Sequence, residues 1–333
     1  MCDLRTISNN IMIVAPGGQF NSEDTSSADE NTSEAIYNSV VAGIDSVQVD
    51  IRITRDKVPV LFRYSDLSYG STCSGAVEDT NYEDLENCLT PKQKLFIPSF
   101  ADAITQINAG ISDGGENVTA ISIVMNFPEK NEDVYNAVAD VIKDADYDVQ
   151  YFLAIFQDLD DIDSAKDLLP KRCSFQIYSD ISFDSSFMDK ISDDQVRGIV
   201  LDANGITFDF LTIAHRNGFS LWANNVSDEK IANQMIDLGV NGLISTNCQR
   251  TMETVESLRY YINSDDYSQS QGRTITLLVI VSIITAFAIA FLVISMINFF
   301  SASTEGKQNK IEIETETSPL VEQEKEVSGD EAV

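Results

Sequence analysis

For acid–base, nucleophilic or metal chemistry this 333-residue chain has one histidine, five cysteines and 53 acidic residues. The single histidine, His215, sits in Leu211-Thr212-Ile213-Ala214-His215-Arg216-Asn217-Gly218. Five cysteines (Cys2, Cys73, Cys88, Cys173, Cys248) show no metal-ligand spacing, which argues against a zinc site. The charged pair that spacing does bring together is Asp50 and Arg63. Asp50 closes the run Val47-Gln48-Val49-Asp50, and Arg63 closes Val58-Pro59-Val60-Leu61-Phe62-Arg63. Between the two runs lie Thr54-Arg55-Asp56-Lys57, too short for a parallel crossover of about a dozen residues. The runs therefore form an antiparallel hairpin, and its returning arm brings Arg63 back to the level of Gln48 and Asp50. A guanidinium there can hold a phosphate through paired charge-assisted hydrogen bonds. It can equally form an internal ion pair with Asp50, and the sequence favours the pair.

The elements that must position these residues are short β-branched runs closed by turn signals, which read as strands. The first is Ile11 to Ala15, followed by a helical stretch from Thr32 to Val41 and a second strand over Gly43 to Asp50. Further strands follow at Ala120–Asn126, Gln150–Phe156, Ser174–Tyr178, Gly198–Asp202, Ser220–Asn224 and Gly242–Thr246. Helix-like segments lie at Asp133–Lys143, Phe208–Arg216 and Asp228–Leu238, and Ser99 is placed to cap another that opens at Phe100. Leaving the hairpin arm outside the ring, the strands number eight. That is the arithmetic of an α/β fold of the (β/α)8 barrel type. Residues 70–95 carry few strand or helix signals and read as a surface insertion. His215 falls on the helix-like segment at Phe208–Arg216, on the outer ring and away from the mouth.

The order of motifs resembles the glycerophosphodiester phosphodiesterase family, whose members are TIM barrels. Glu30-Asn31-Thr32, Gly43-x-Asp45, Asp50 and Val58-Pro59-Val60 match its pattern. Leu221-Trp222-Ala223-Asn224 and Gly239-Val240-Asn241-Gly242 extend the resemblance to roughly residues 11–250. An active member would use two histidines as acid and base, a phosphate-binding arginine, and a divalent metal on three carboxylates. At those positions this chain has Pro16 and Arg63 for the histidines, Gly17 for the arginine, and Gln48 for the first carboxylate. Asp50 survives as the second, and Met125-Asn126 stand where the third belongs. Proline has no ionisable side chain, arginine gives up no proton near neutrality, and a neutral amide is a poor substitute where a hard cation wants a carboxylate. The resemblance thus implies a scaffold kept and a machinery lost. No metal cofactor is expected; magnesium or calcium belongs only to the alternative of a divergent phosphodiesterase. Ligand-binding candidates are Arg63, Asp50 and Trp222, the last either stacking at the mouth or filling the barrel.

The net charge of −31 argues against nucleic acid or anionic membrane surfaces as partners. Cys73 and Cys88 flank one segment and either bridge in an oxidising lumen or remain free. Residues 274–300 contain neither charge nor proline and are long enough to cross a ~30 Å hydrocarbon core. The expected organisation is a barrel over 1–260, a polar linker over 261–273, a transmembrane helix over 274–300 and a disordered acidic tail over 301–333. Met1 to Asn10 holds no apolar leader run, which suggests a cytosolic domain or a sequence lacking its first residues. Arg273 against Lys307 and Lys310 leans the other way, toward a cytoplasmic tail. The sequons at Asn31, Asn117 and Asn225 look lumenal, with Asn117 the expected acceptor. On balance a lumenal or extracellular barrel is expected, with a tail-anchored cytosolic one as alternative. Its expected role is non-enzymatic: a membrane-anchored binding or scaffold module for a protein partner or a glycerophospho-type ligand.

Overall fold

The computed structural model describes residues 11–21, 28–114, 118, 121–129, 131–144, 149–178, 191 and 196–263. Eight strands form one ring: β1 (Met12–Pro16), β2 (Ser46–Ile53), β4 (Ile121–Asn126), β5 (Val149–Phe156), β6 (Cys173–Tyr178), β7 (Val196–Asp202), β8 (Ser220–Val226) and β9 (Gly242–Ser245). Each pairs in parallel with the next, and β9 pairs back onto β1 through Met12 opposite Gly242. Strand β3 (Pro59–Leu61) lies outside the ring, antiparallel to β2, with Ile51 opposite Leu61 and Ile53 opposite Pro59. The hairpin that spacing requires is therefore present, although β2 runs three residues further than Asp50.

Helices cover the outside: α1 (Ser33–Val41), α2 (Tyr82–Leu85), α3 (Phe100–Asp113), α4 (Glu132–Asp144), α5 (Leu159–Ala165), α6 (Phe208–Arg216), α7 (Glu229–Leu238) and α8 (Cys248–Asn263). Ser99 caps α3 in a full capping box with Asp102. The short helix α5 and the terminal α8 carry no signal strong enough to be read from the sequence. The strands are nearly continuous apolar runs because both faces are buried. Their outward residues, such as Val47, Val49 and Met125, pack under the helices in the main core. Their inward residues Val14, Val124, Ile155, Val200, Trp222 and Ile244 plug the barrel.

Trp222 belongs to that plug, not to the mouth. It is 4% exposed, and its indole N–H donates to Ser220 Oγ at the start of its own strand. Gly242 across the pair makes room, since a Cβ there would sit 2.6 Å from the indole ring. Of the two readings for Trp222, the barrel filler is the one realised.

Residues 70–95 are more built than expected. A 3₁₀ turn at Val77–Asp79, helix α2 and a Cys73–Cys88 disulfide shape the segment, whose Val77, Leu85 and Cys88 share a small core with the flanking Val60, Phe62, Leu67 and Ile97. Such a segment is short of apolar residues, and a covalent cross-link compensates by restricting its unfolded chain.

The expected transmembrane helix at 274–300 lies outside the described residues, as do the tail and residues 264–273 of the expected linker; residues 261–263, expected to open that linker, instead end α8. Among the described residues no helix is long and apolar enough to cross a membrane. The barrel plug gives a direct prediction. Gly242→Ala should lower stability by about 1–3 kcal/mol through overpacking against Trp222, measured by denaturant unfolding followed through the fluorescence of this one tryptophan.

Candidate functional site

The site grows from Glu30-Asn31-Thr32, each residue of which has a separate task. Thr32 is the N-cap of α1, accepting from the Ala35 amide. Asn31 adopts a left-handed φ of 58°, which asparagine tolerates better than most residues. That conformation aims its amide at Asp50: Nδ2 donates to Asp50 Oδ2 at 2.9 Å, and Oδ1 accepts the Asp50 backbone N–H at 2.9 Å. Glu30 reaches the Arg63 guanidinium, with Oε2 3.1 Å from Nη1.

Asp50 is 1% exposed and has three side-chain donors. Besides Asn31, Asn126 Nδ2 donates to Oδ1 at 2.6 Å, and Arg63 Nε donates to Oδ2 at 3.3 Å. Arg63 is held in turn through its own carbonyl, which accepts from Nε and Nη2 of Arg52 at 3.1 and 2.8 Å. Burial opposes the guanidinium charge, but the Glu30 and Asp50 carboxylates more than offset it and its pKa rises. Burial raises the Glu30 carboxyl above its ordinary 4.5, and the nearby Arg63 charge only partly counters this. Tyr178, at the end of β6, is pushed up to about 12, first by burial and then by the Asp50 charge, so its phenol stays protonated.

These groups surround a cavity of 540 Å³ at the C-terminal end of the barrel, where this fold places its ligands. Gln48, Asp50 and Asn126 line it together with Pro16, Arg63, Tyr178, Asn224 and Thr246. Of the expected positions, Met125, like Trp222, does not line it. Met125 is fully buried in the outer core, so Asn126 is the β4 residue that faces the mouth. A smaller cavity of 290 Å³ shares Gln19, Glu30 and Arg63 with the mouth and is walled by Phe62, Tyr64 and Tyr69 of the hairpin and insertion.

Gly17 and Gly18 complete the rim with φ of 61° and 70°. A Cβ on Gly17 would lie 2.6 Å from the Glu30 Cβ, so the loop has no room for an arginine at this point. The residues present do not fit a divalent cation. Among the described residues no group of three or more His, Cys, Asp or Glu is placed to hold a metal ion, and the one carboxylate kept from the expected set already takes N–H donors on both oxygens. His215 is on α6, exposed, with Nε2 2.9 Å from Asn241 Oδ1, far round the outside from any acid–base role at the mouth.

Asp50 and Arg63 were legible from hairpin spacing. Glu30 and Asn31 were visible only as a motif, and nothing in the sequence indicates that one would pair with Arg63 and the other with Asp50. Tyr178, Gln157 and Asn224 reach the mouth only because barrel strands end at a common level.

A family model described as the glycerophosphoryl diester phosphodiesterase family matches residues 17–249. No curated protein sequence matches the chain. Among solved structures, an Oleispira antarctica phosphodiesterase in complex with the product sn-glycerol-3-phosphate is similar at a TM-score of 0.64 and 19% identity, over 75% of this chain and 98% of that one. A putative glycerophosphodiester phosphodiesterase from Galdieria sulphuraria follows at 0.62 and 14%, over 74% and 98%. A putative glycerophosphoryl diester phosphodiesterase from Silicibacter pomeroyi is similar at 0.60 and 12%, over 74% and 94%.

Two predictions follow from the geometry around Asp50. Asn31→Ala strands a buried backbone N–H and removes a donor from a buried carboxylate, so it should cost about 3 kcal/mol in chemical denaturation. Glu30 gives a pH signature. Because its folded pKa is raised, the folded state binds the extra proton, and stability falls as pH rises from about 4.5 through the raised value. Glu30→Gln should remove that decline, seen as a shallower loss of melting temperature with pH over this window.

Proposed function

This chain belongs to the glycerophosphoryl diester phosphodiesterase family, and from that premise we propose that it is a non-catalytic member. Its barrel acts as a binding or scaffold module tethered to a membrane by residues 274–300. The observation that carries this reading is the closed network at Asp50. The one retained carboxylate of the expected metal set is occupied by Asn31, Asn126 and Arg63. The Gly17 loop leaves no space for a phosphate-binding side chain. Chemistry at the mouth would have to come from Glu30, whose raised pKa is the single feature that favours the second reading, a divergent hydrolase using this carboxyl as general base.

We place the barrel in a lumen or outside the cell, with residues 301–333 in the cytosol and residues 261–273 as linker. The Cys73–Cys88 bridge supports this, because disulfides persist in oxidising compartments. The sequons sort by exposure. Asn31 is 3% exposed with its amide committed to Asp50, whereas Asn225 is exposed on the mouth rim. Asn117 lies outside the described residues.

The assay is direct. The purified full chain, given glycerophosphodiesters with magnesium or calcium, should release no glycerol phosphate. Turnover that disappears in Glu30→Gln would establish the divergent hydrolase instead. For topology, endoglycosidase treatment of cell-derived protein should shift its mobility, with no glycan on Asn31. An unglycosylated barrel open to protease in sealed vesicles would mean a cytosolic, tail-anchored domain.

A further inference from the structure

We propose that the mouth cavity takes a neutral polyhydroxylated small molecule, a polyol or sugar, and that phosphate plays no part in its recognition. This rests on the binding-module reading and names the ligand class for that same site.

The first observation is a pair of buried acceptors without donors. Gln48 lines the cavity at 6% exposure, and its Oε1 has no hydrogen-bond partner. Asn126 spends Nδ2 on Asp50, which leaves its own Oδ1 buried and unpartnered in the same cavity wall. A buried acceptor left unmade is costly, so both oxygens gain from a ligand that brings donors. Hydroxyl groups donate. A phosphate dianion offers acceptors only and would meet these two oxygens with repulsion.

Charge points the same way. Arg63 is the cation of the cavity wall, and it is shared between Asp50 and Glu30, so the charged residues lining the mouth sum to a net negative value. The guanidinium that the hairpin delivers to the mouth thus already answers two carboxylates, although its side chain stays 43% exposed. An anion arriving there would have to compete with two carboxylates already in place. What else lines the space is neutral and can both donate and accept, as amides and hydroxyls do: Gln157, Asn224 and Thr246. Tyr178 adds a phenol that remains a donor across the physiological range. A volume of 540 Å³ lies within the size range of small-molecule sites.

The test is calorimetric titration of the purified full chain with a monosaccharide, a cyclitol, a glycosylglycerol and sn-glycerol 3-phosphate, at low and high salt. At least one neutral compound should bind, with an affinity that salt leaves unchanged, and glycerol phosphate should not. Gln48→Met should weaken that binding about tenfold, the worth of one hydrogen bond to a buried acceptor. Its unfolding temperature should not fall, because an unpartnered polar atom has been removed. Should that variant fail to fold, the panel and the salt series on the wild type still decide. Glycerol phosphate binding more tightly than every neutral compound, without turnover, would overturn the ligand class and leave the binding module standing. Turnover of a phosphodiester would overturn the module itself. Binding by no compound, or polyol binding unchanged in Gln48→Met, would overturn the proposal.

Discussion

A carboxylate with 1% exposure has to be satisfied where it stands, and the organisation of the barrel mouth is the answer to that constraint. The three side chains that satisfy Asp50 come from three separate elements: the loop before α1, the end of β4, and the segment after β3. None could serve without support of its own. Asn31 needs its left-handed backbone and the cap that Thr32 places on the following helix. Arg63 needs Arg52 on its carbonyl, and Arg52 needs Glu129, 2.6 Å away. The carboxylate therefore fixes the first βα loop against the hairpin and the hairpin against β4. Because removing a donor leaves the buried Asp50 carboxylate short of a partner, these positions depend on one another far more than surface pairs such as Lys57–Asp133 do.

The ring of strands was legible because its signal is local and repeated. Apolar β-branched runs of similar length, with helix-like segments between them, admit few architectures, and the five residues between β2 and β3 allow no crossover. The hairpin even placed Arg63 beside Asp50 correctly. What could not be read was anything set by direction rather than position. Met125 and Asn126 are neighbours in sequence, yet the strand's alternation sends one under the helices and the other into the mouth. Trp222 stayed open between stacking at the mouth and filling the barrel, and the missing side chain at Gly242 shows the hole it fills. The insertion at 70–95 read as polar and featureless because a disulfide and a seven-residue core hold it, and neither leaves a periodic trace.

The mouth keeps the shape of the family's barrel while Pro16, Gly17, Gln48 and Arg63 stand where the resemblance leads one to expect other side chains, and fold and function are separable properties of one chain. The difference is written into the backbone as well as the side chains. Gly17 bends at a positive φ against Glu30, so a longer residue there would have to displace the loop that carries Asn31. Glu30 and Arg63 then pair with each other at the cavity wall. Side chains that would otherwise face a ligand have become partners of each other.

That internal satisfaction is incomplete, and the incompleteness has a direction. A network that draws its donors toward one carboxylate uses up N–H groups faster than oxygens. Asn126 turns its NH₂ to Asp50, and its oxygen, like that of Gln48, is left buried in the cavity wall without a partner. The cavity wall therefore holds acceptors in want of donors. That feature follows from holding Asp50 buried, so the interaction that stabilises the fold also bears on which chemistry a ligand brings to the mouth.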